Sequence, residues 1–179
     1  HRSQTMQDKA TRSPATNSPA FDKQNGDNPK GAGVKFPPPI VLLLCLLAGI
    51  GLQYLLPLGI GFTAPLNLVG LVFVFSALII LAVCALAFRR AKTAIEPWKP
   101  TTSMVYGGCY AFSRNPIYLS FSLLLFGIGV TANSFWIVFS ALPCGIAIHF
   151  LAIRKEEAYL EQKFGTDYLH YKQRVRRWL

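Results

Sequence analysis

The chain has 179 residues, 52% of them hydrophobic and only 15% charged, with a formal net charge of +10. So much apolar and so little charged side chain exclude an ordinary soluble domain and indicate a membrane protein. The positive charge comes with no nucleic-acid motif, so no nucleic-acid partner is expected; it fits topology and contacts to anionic lipid headgroups.

Residues 1–36 are rich in Ser, Thr, Asn, Gln and Pro, and read as a disordered polar tail that cannot bury enough surface to offset its chain entropy. No cleavable apolar segment follows its charged start, so it is not expected to be a secretory signal. Residues 37–179 are predicted to form an all-α integral membrane domain with four transmembrane helices and a C-terminal amphipathic helix.

Two apolar runs are plain, Ile40–Phe62 and Leu66–Phe88, giving spans at about 40–60 and 66–88. Pro116–Ile153 has no charged residue and is too long for one crossing. It divides at Thr131-Ala-Asn-Ser134 into spans at about 116–132 and 134–153, near the ~20 residues a bilayer requires. Of the 18 Lys and Arg, six precede the first span, five lie in 89–114 and seven lie from Arg154 onward. The connections 57–65 and 131–134 carry none. Basic residues stay on the cytosolic side during insertion, so both termini and the central loop are predicted to be cytosolic.

The central loop, 89–113, holds Pro97, Trp98, Pro100 and Gly107-Gly108 and exceeds a simple helix connection. Its aromatic and apolar members predict an ordered segment pressed against the bilayer or the bundle. Cys45, Cys84 and Cys144 fall within spans and Cys109 in the loop, without metal-ligand spacing, so neither a metal nor a disulfide is expected.

Asn115-Pro116 reads as N-cap and first residue of the third span. Free amides there favour an anionic group, and Arg114 adds to this; the plain alternative is a topology-setting arginine. Glu156 and Glu157 stand one turn past the fourth span, where the surrounding charge is basic. They read either as a solvated face pairing with Arg154 or Lys155, or as acceptors for a cationic ligand. Together these residues offer an anion site and a cation site at one membrane edge, which suits a zwitterionic, positively charged cofactor. His149, near the cytosolic end of the fourth span, is a candidate substrate contact, with hydrogen-bonded packing as the alternative. Beyond it Leu160, Phe164, Tyr168, Tyr171, Val175 and Trp178 recur at helical spacing. They predict an amphipathic helix broken near Gly165, restarted by Thr166 or Asp167 as N-cap, and closing a cytosolic pocket.

The ordered set Tyr110-x-x-x-Arg114-Asn-Pro-x-Tyr118, Glu156-Glu157-x-x-Leu160 and Phe164-Gly165-x-x-Tyr168-x-x-Tyr171-x-x-x-Val175 resembles the isoprenylcysteine carboxyl methyltransferase and phospholipid N-methyltransferase superfamily. The likeness runs from about Lys92 to Leu179; the first two spans match only as hydropathy. It implies S-adenosylmethionine in a cytosolic pocket lined by Met104 and Val105. Tyr110, Asn115, Pro116 and Tyr118 would hold the cofactor beside Arg114, Glu156 would contact it, and Glu157 would support. Prenylcysteine enzymes carry a substrate-contacting arginine four residues before the first cofactor glutamate; here that position is Ala152. Arg154 or His149 would have to cover it.

The reaction implied is methyl transfer to a lipophilic acceptor, most like isoprenylcysteine carboxyl O-methylation. A carboxylate is already ionised near neutral pH whereas an amine must first lose a proton, and no clear free base stands in the sequence. The alternatives are phospholipid (ethanolamine-type) N-methylation and a non-catalytic membrane scaffold of the same fold.

Overall fold

A computed structural model describes residues 31–179, which are helical with no strand among them. The helices are α1 (Pro38–Leu55), α2 (Val69–Arg90), α3 (Pro116–Thr131), α4 (Phe135–Ile148), α5 (Arg154–Phe164) and α6 (Thr166–Arg174). A π-helical turn, His149–Ile153, makes α4 and α5 one continuous rod. Three stretches are long and apolar enough to cross a membrane: Pro38–Leu55, Leu66–Arg90 and the Phe135–Phe164 rod, whose apolar part ends at Ile153. Pro116–Thr131 is apolar but shorter.

The first run stops being helical at Leu55, not near 60. Pro57 has no N–H to offer and disfavours helical backbone in the residue before it, and Leu56 is accordingly extended, at φ −134° and ψ 76°. The predicted break between the third and fourth spans is present at Ala132–Ser134. Asn133 turns there in the left-handed region at φ 49°, and the Ser134 side chain caps α4 by accepting from the Ile137 N–H.

α3 is the most enclosed helix, packed between α2 and α4, while α1 packs chiefly on α4. Tyr118, Phe121 and Leu125 of α3 meet Cys144 and Ile148 of α4, and the cluster continues to Ala152 and Ile153. α1 and α2 expose most of their apolar side chains outward, as surfaces facing lipid do.

The two ends of the bundle differ chemically. At one, the uncharged connection 56–68 meets the 132–134 turn: Phe135 N–H donates to the Leu58 carbonyl, and Asn133 Oδ1 accepts from Ile60 N–H at 3.1 Å. Every Lys and Arg among the described residues lies at or beyond the other end.

At the basic end the central loop is ordered, as its composition predicted. Ser103 Oγ donates to the Ala91 carbonyl at 2.8 Å, and Thr102 Oγ1 to that of Lys92 at 3.1 Å. Most of the expected tail, residues 1–30, lies outside the described residues. Its remainder does not hang free: Ala32 N–H donates to the Pro97 carbonyl at 2.9 Å, and Val34 is buried in the core.

The rod past the fourth span breaks at Gly165, whose φ of 51° glycine adopts without penalty. Neither Thr166 nor Asp167 caps the restart; both lie within the first turn of α6, with Gly165 at the cap position. α6 ends at Arg174, so Val175 and Trp178 are not on the helical face predicted for them but on a non-helical segment, and Trp178 packs against the core.

Candidate active site

A cavity of about 110 Å³ opens at the basic end between the central loop, the start of α3, α5 and α6. Met104, Val105, Tyr110, Arg114, Asn115, Tyr118, Glu156 and Glu157 all line it, so eight residues predicted from three separate stretches meet in one place. Pro116 is buried at the first helical position and shapes the turn without facing the cavity. His149 and Arg154, predicted as acceptor contacts, stand elsewhere. His149 lines a separate apolar groove with Leu119, Ser122, Ile146 and Trp178. Arg154 is exposed, its guanidinium 5.7 Å from the Phe150 ring centroid.

The two adjacent glutamates have opposite surroundings. Glu157 is buried and fully matched: Arg177 Nε donates to Oε1 at 3.0 Å and Nη2 to Oε2 at 2.7 Å, a bidentate pair. Arg114 Nη1 adds an ion pair at 3.3 Å, with both side chains only 9% exposed. Glu156 has no cation. Its Oε1 accepts a short hydrogen bond from the Tyr118 hydroxyl, and burial pushes its carboxyl up from 4.5 to about 7. A third carboxylate of the cavity, Glu96, is satisfied by Lys99 at 2.7 Å. Among the described residues, Glu156 is therefore the cavity's one carboxylate without a positive partner, and neither glutamate pairs with Arg154 or Lys155.

Asn115 occupies the N-cap position of α3, but its side chain does not cap the helix. Its Nδ2 donates instead to the Arg177 carbonyl at 3.0 Å, and Ser113 Oγ donates to the same oxygen at 3.3 Å. The segment packed over this turn competes successfully for the amide. Arg114 is held by Glu157, but its Nη1 lacks hydrogen-bond alignment and its buried Nε has no partner. An unsatisfied buried guanidinium nitrogen is costly unless a ligand completes it.

The remaining wall is aromatic: Tyr110, Tyr159, Tyr168 and Tyr171 surround the polar corner with Tyr118. Tyr171 Oη donates to the Tyr110 carbonyl at 2.7 Å, and Tyr110 packs edge-on against Phe88. Burial raises the Tyr168 phenol to about 12 and Tyr110 well above its usual range, so both stay neutral. Phenol faces beside a lone carboxylate attract a cation, and the spare Arg114 nitrogen suits an anion. The polar corner thus sets a carboxylate without a cation beside a spare guanidinium nitrogen.

In the sequence Arg177 reads only as one of the basic residues suited to anionic headgroups, with Lys163, Lys172, Arg174 and Arg176. It stands among the basic residues after Gly165 and carries no sign in the sequence of being the one turned inward. Tyr168 and Tyr171 were legible as members of an apolar face and of the family motif, with no place in the cavity wall assigned to them.

The pattern defining phospholipid methyltransferases matches residues 65–167, which includes the second apolar run, the loop, α3 and the glutamate pair. Over 68 residues the chain is also 43% identical to an uncharacterized protein of Haemophilus influenzae, a stretch making up 35% of this chain and all of that relative. With more than half its length inside the pattern and the motif residues gathered round one cavity, the chain belongs to the phospholipid methyltransferase family.

Proposed function

We propose that the protein transfers a methyl group from S-adenosylmethionine to a lipid acceptor at the cytosolic face of the membrane. The observation carrying this is Glu156, a carboxylate without a cation in an aromatic-walled cavity whose other carboxylates are already paired. Glu156 would hold the positive end of the cofactor and Arg114 Nε an anionic end. When bound, that cofactor supplies an electrophilic methyl on a sulfonium. Tyr110, Tyr168 and Tyr171 exclude water around it, and Tyr118 fixes the Glu156 carboxylate. The charge asymmetry supports four spans, with α3 as a short third, and the basic end in the cytosol. His149 and the apolar groove beside it, on the membrane flank of α3 and α4, suit the acceptor's hydrocarbon part.

For the acceptor nucleophile, a carboxylate is the reading the cavity supports. Glu156 is committed to the cofactor and Glu157 to two arginines, which leaves no free base for an ammonium group. Phospholipid amine methylation is the second reading, favoured by the family and by Ala152, fully buried where prenylcysteine enzymes carry their arginine. Calorimetric titration of S-adenosylmethionine into detergent-purified protein tests the cofactor: saturable binding is expected, and none at millimolar cofactor would favour a non-catalytic scaffold. A radiolabelled-methyl assay on extracted lipids separates the acceptors, because a methyl ester is released by base and an N-methyl group is not.

Cofactor binding should depend on pH through Glu156. Its folded value of about 7 lies above the ordinary 4.5. Its contribution to stability is therefore complete below about 4.5 and is lost as pH rises through about 7. A cationic ligand requires the ionised form, so affinity rises across the same interval. The fraction ionised changes more than about tenfold between about pH 5.5 and pH 7.5, and the dissociation constant should fall correspondingly. Glu156→Gln should bind weakly at both pH values; an unchanged wild-type constant across the interval would remove Glu156 as the cation site.

A further inference from the structure

Arg177 does not line the cavity, yet it ties together the two elements that build its polar corner. Val175 leaves α6 with extended backbone, φ −117° and ψ 129°. The chain bends again at Arg177, where Trp178 lines the apolar groove beside His149 and the Arg177 guanidinium reaches Glu157. Through its guanidinium Arg177 grips the first turn of α5 by both oxygens of Glu157. Through its carbonyl it accepts from Ser113 and Asn115 at the start of α3. The neighbouring Arg176 carbonyl accepts the Arg114 N–H at 2.9 Å, so three consecutive residues before α3 are secured by this one segment.

Those are the elements that carry Tyr118 and Glu156. A basic residue serving only lipid headgroups would point away from the protein, whereas this guanidinium is spent on a buried carboxylate. We propose that Arg177 is a positioning residue for methyl transfer: by clamping Glu157 to the 113–115 turn it holds the first turn of α5 so that Glu156 faces Tyr118 and the cavity. It touches neither cofactor nor acceptor. This role rests on the function proposed above.

The test is a double-mutant cycle read by calorimetric binding of S-adenosylmethionine to wild type, Arg177→Ala, Glu157→Gln and the double variant, with Arg177→Lys as the conservative replacement. Arg177→Ala should raise the dissociation constant about tenfold, and Arg177→Lys, which keeps the charge but not the fork, about threefold. Because Arg177 acts through Glu157, the double variant should bind no worse than the poorer single one. Wild-type affinity in Arg177→Ala, or single effects that simply multiply in the double variant, overturns the positioning role alone. No binding by wild type overturns the functional reading and the role with it. Should Arg177→Ala not fold, Arg177→Lys decides: weaker binding at wild-type thermal stability supports the role, and unchanged binding removes it.

Discussion

Replacing Glu156 with alanine should weaken S-adenosylmethionine binding at least about a hundredfold while leaving the fold standing, because under the proposed function it deletes the one cavity carboxylate that lacks a cation among the described residues. The fold survives because Glu156 has no cationic partner to strand; its one hydrogen-bond partner is the Tyr118 hydroxyl. Its raised carboxyl value also means that the ionised form is a burden on the protein above about pH 7. Glu156→Ala should therefore unfold no more readily than wild type at pH about 8 in the absence of ligand. Glu157→Ala behaves in the opposite way. It strands Arg114, whose side chain is 9% exposed, and frees Arg177, for a loss of about 3 kcal/mol. Calorimetry and detergent thermal unfolding should show lost binding at wild-type stability for 156, and for 157 a lost stability with a smaller loss of binding through the Arg177 clamp. If both variants lost binding and stability in parallel, the division of labour between the neighbours would be wrong.

The second large effect lies far from the cavity, where α2 and α3 cross. Gly70 and Gly127 face one another there: a Cβ at 127 would meet the Gly70 carbonyl oxygen at 2.7 Å and the Val74 nitrogen at 2.8 Å. One at 70 would meet the Gly127 carbonyl oxygen at 2.5 Å. These obstacles are backbone atoms, which cannot swing aside as a flexible side chain would. Small residues at such a crossing let two membrane helices pack by direct backbone approach. Gly127→Val must push α2 and α3 apart, at a cost of about 3 kcal/mol. The expected result is a marked fall in detergent unfolding temperature, together with weaker cofactor binding, since α3 carries Tyr118 into the site. Gly51→Val offers a control, because a Cβ at Gly51 has nothing within 4 Å, and its stability should stay near wild type. Equal losses in the two variants would argue against the close crossing.

Much of the site was legible because its residues are chemically out of place in their surroundings. Two acidic residues among basic ones, and an Arg-Asn-Pro turn opening an apolar helix, stand out in a linear reading. Local physics also located the break at 132–134 and the ordered loop. The errors have local causes too. Pro57 ended α1 earlier than hydropathy alone suggested, since apolar composition does not report a missing N–H. Asn115 was read as a cap on its own backbone, but a segment some sixty residues away offered a better acceptor. Val175 and Trp178 keep helical spacing yet leave the helix, because spacing records which residues are apolar and not where the backbone stops turning.

By itself the sequence determined the helical class, the apolar lengths, the segregation of the basic residues among the described ones to one end, and the family-defining motif, because hydropathy, charge and cap chemistry act over a few residues. Only the tertiary structure decided which glutamate is free and which is spent. That difference depends on Arg177 and Arg114 reaching one carboxylate and not its neighbour. It depends too on burial, which pushes the Glu156 carboxyl up while Glu157 sits against two guanidiniums. Proximity across the chain is set by packing, and no local pattern encodes it.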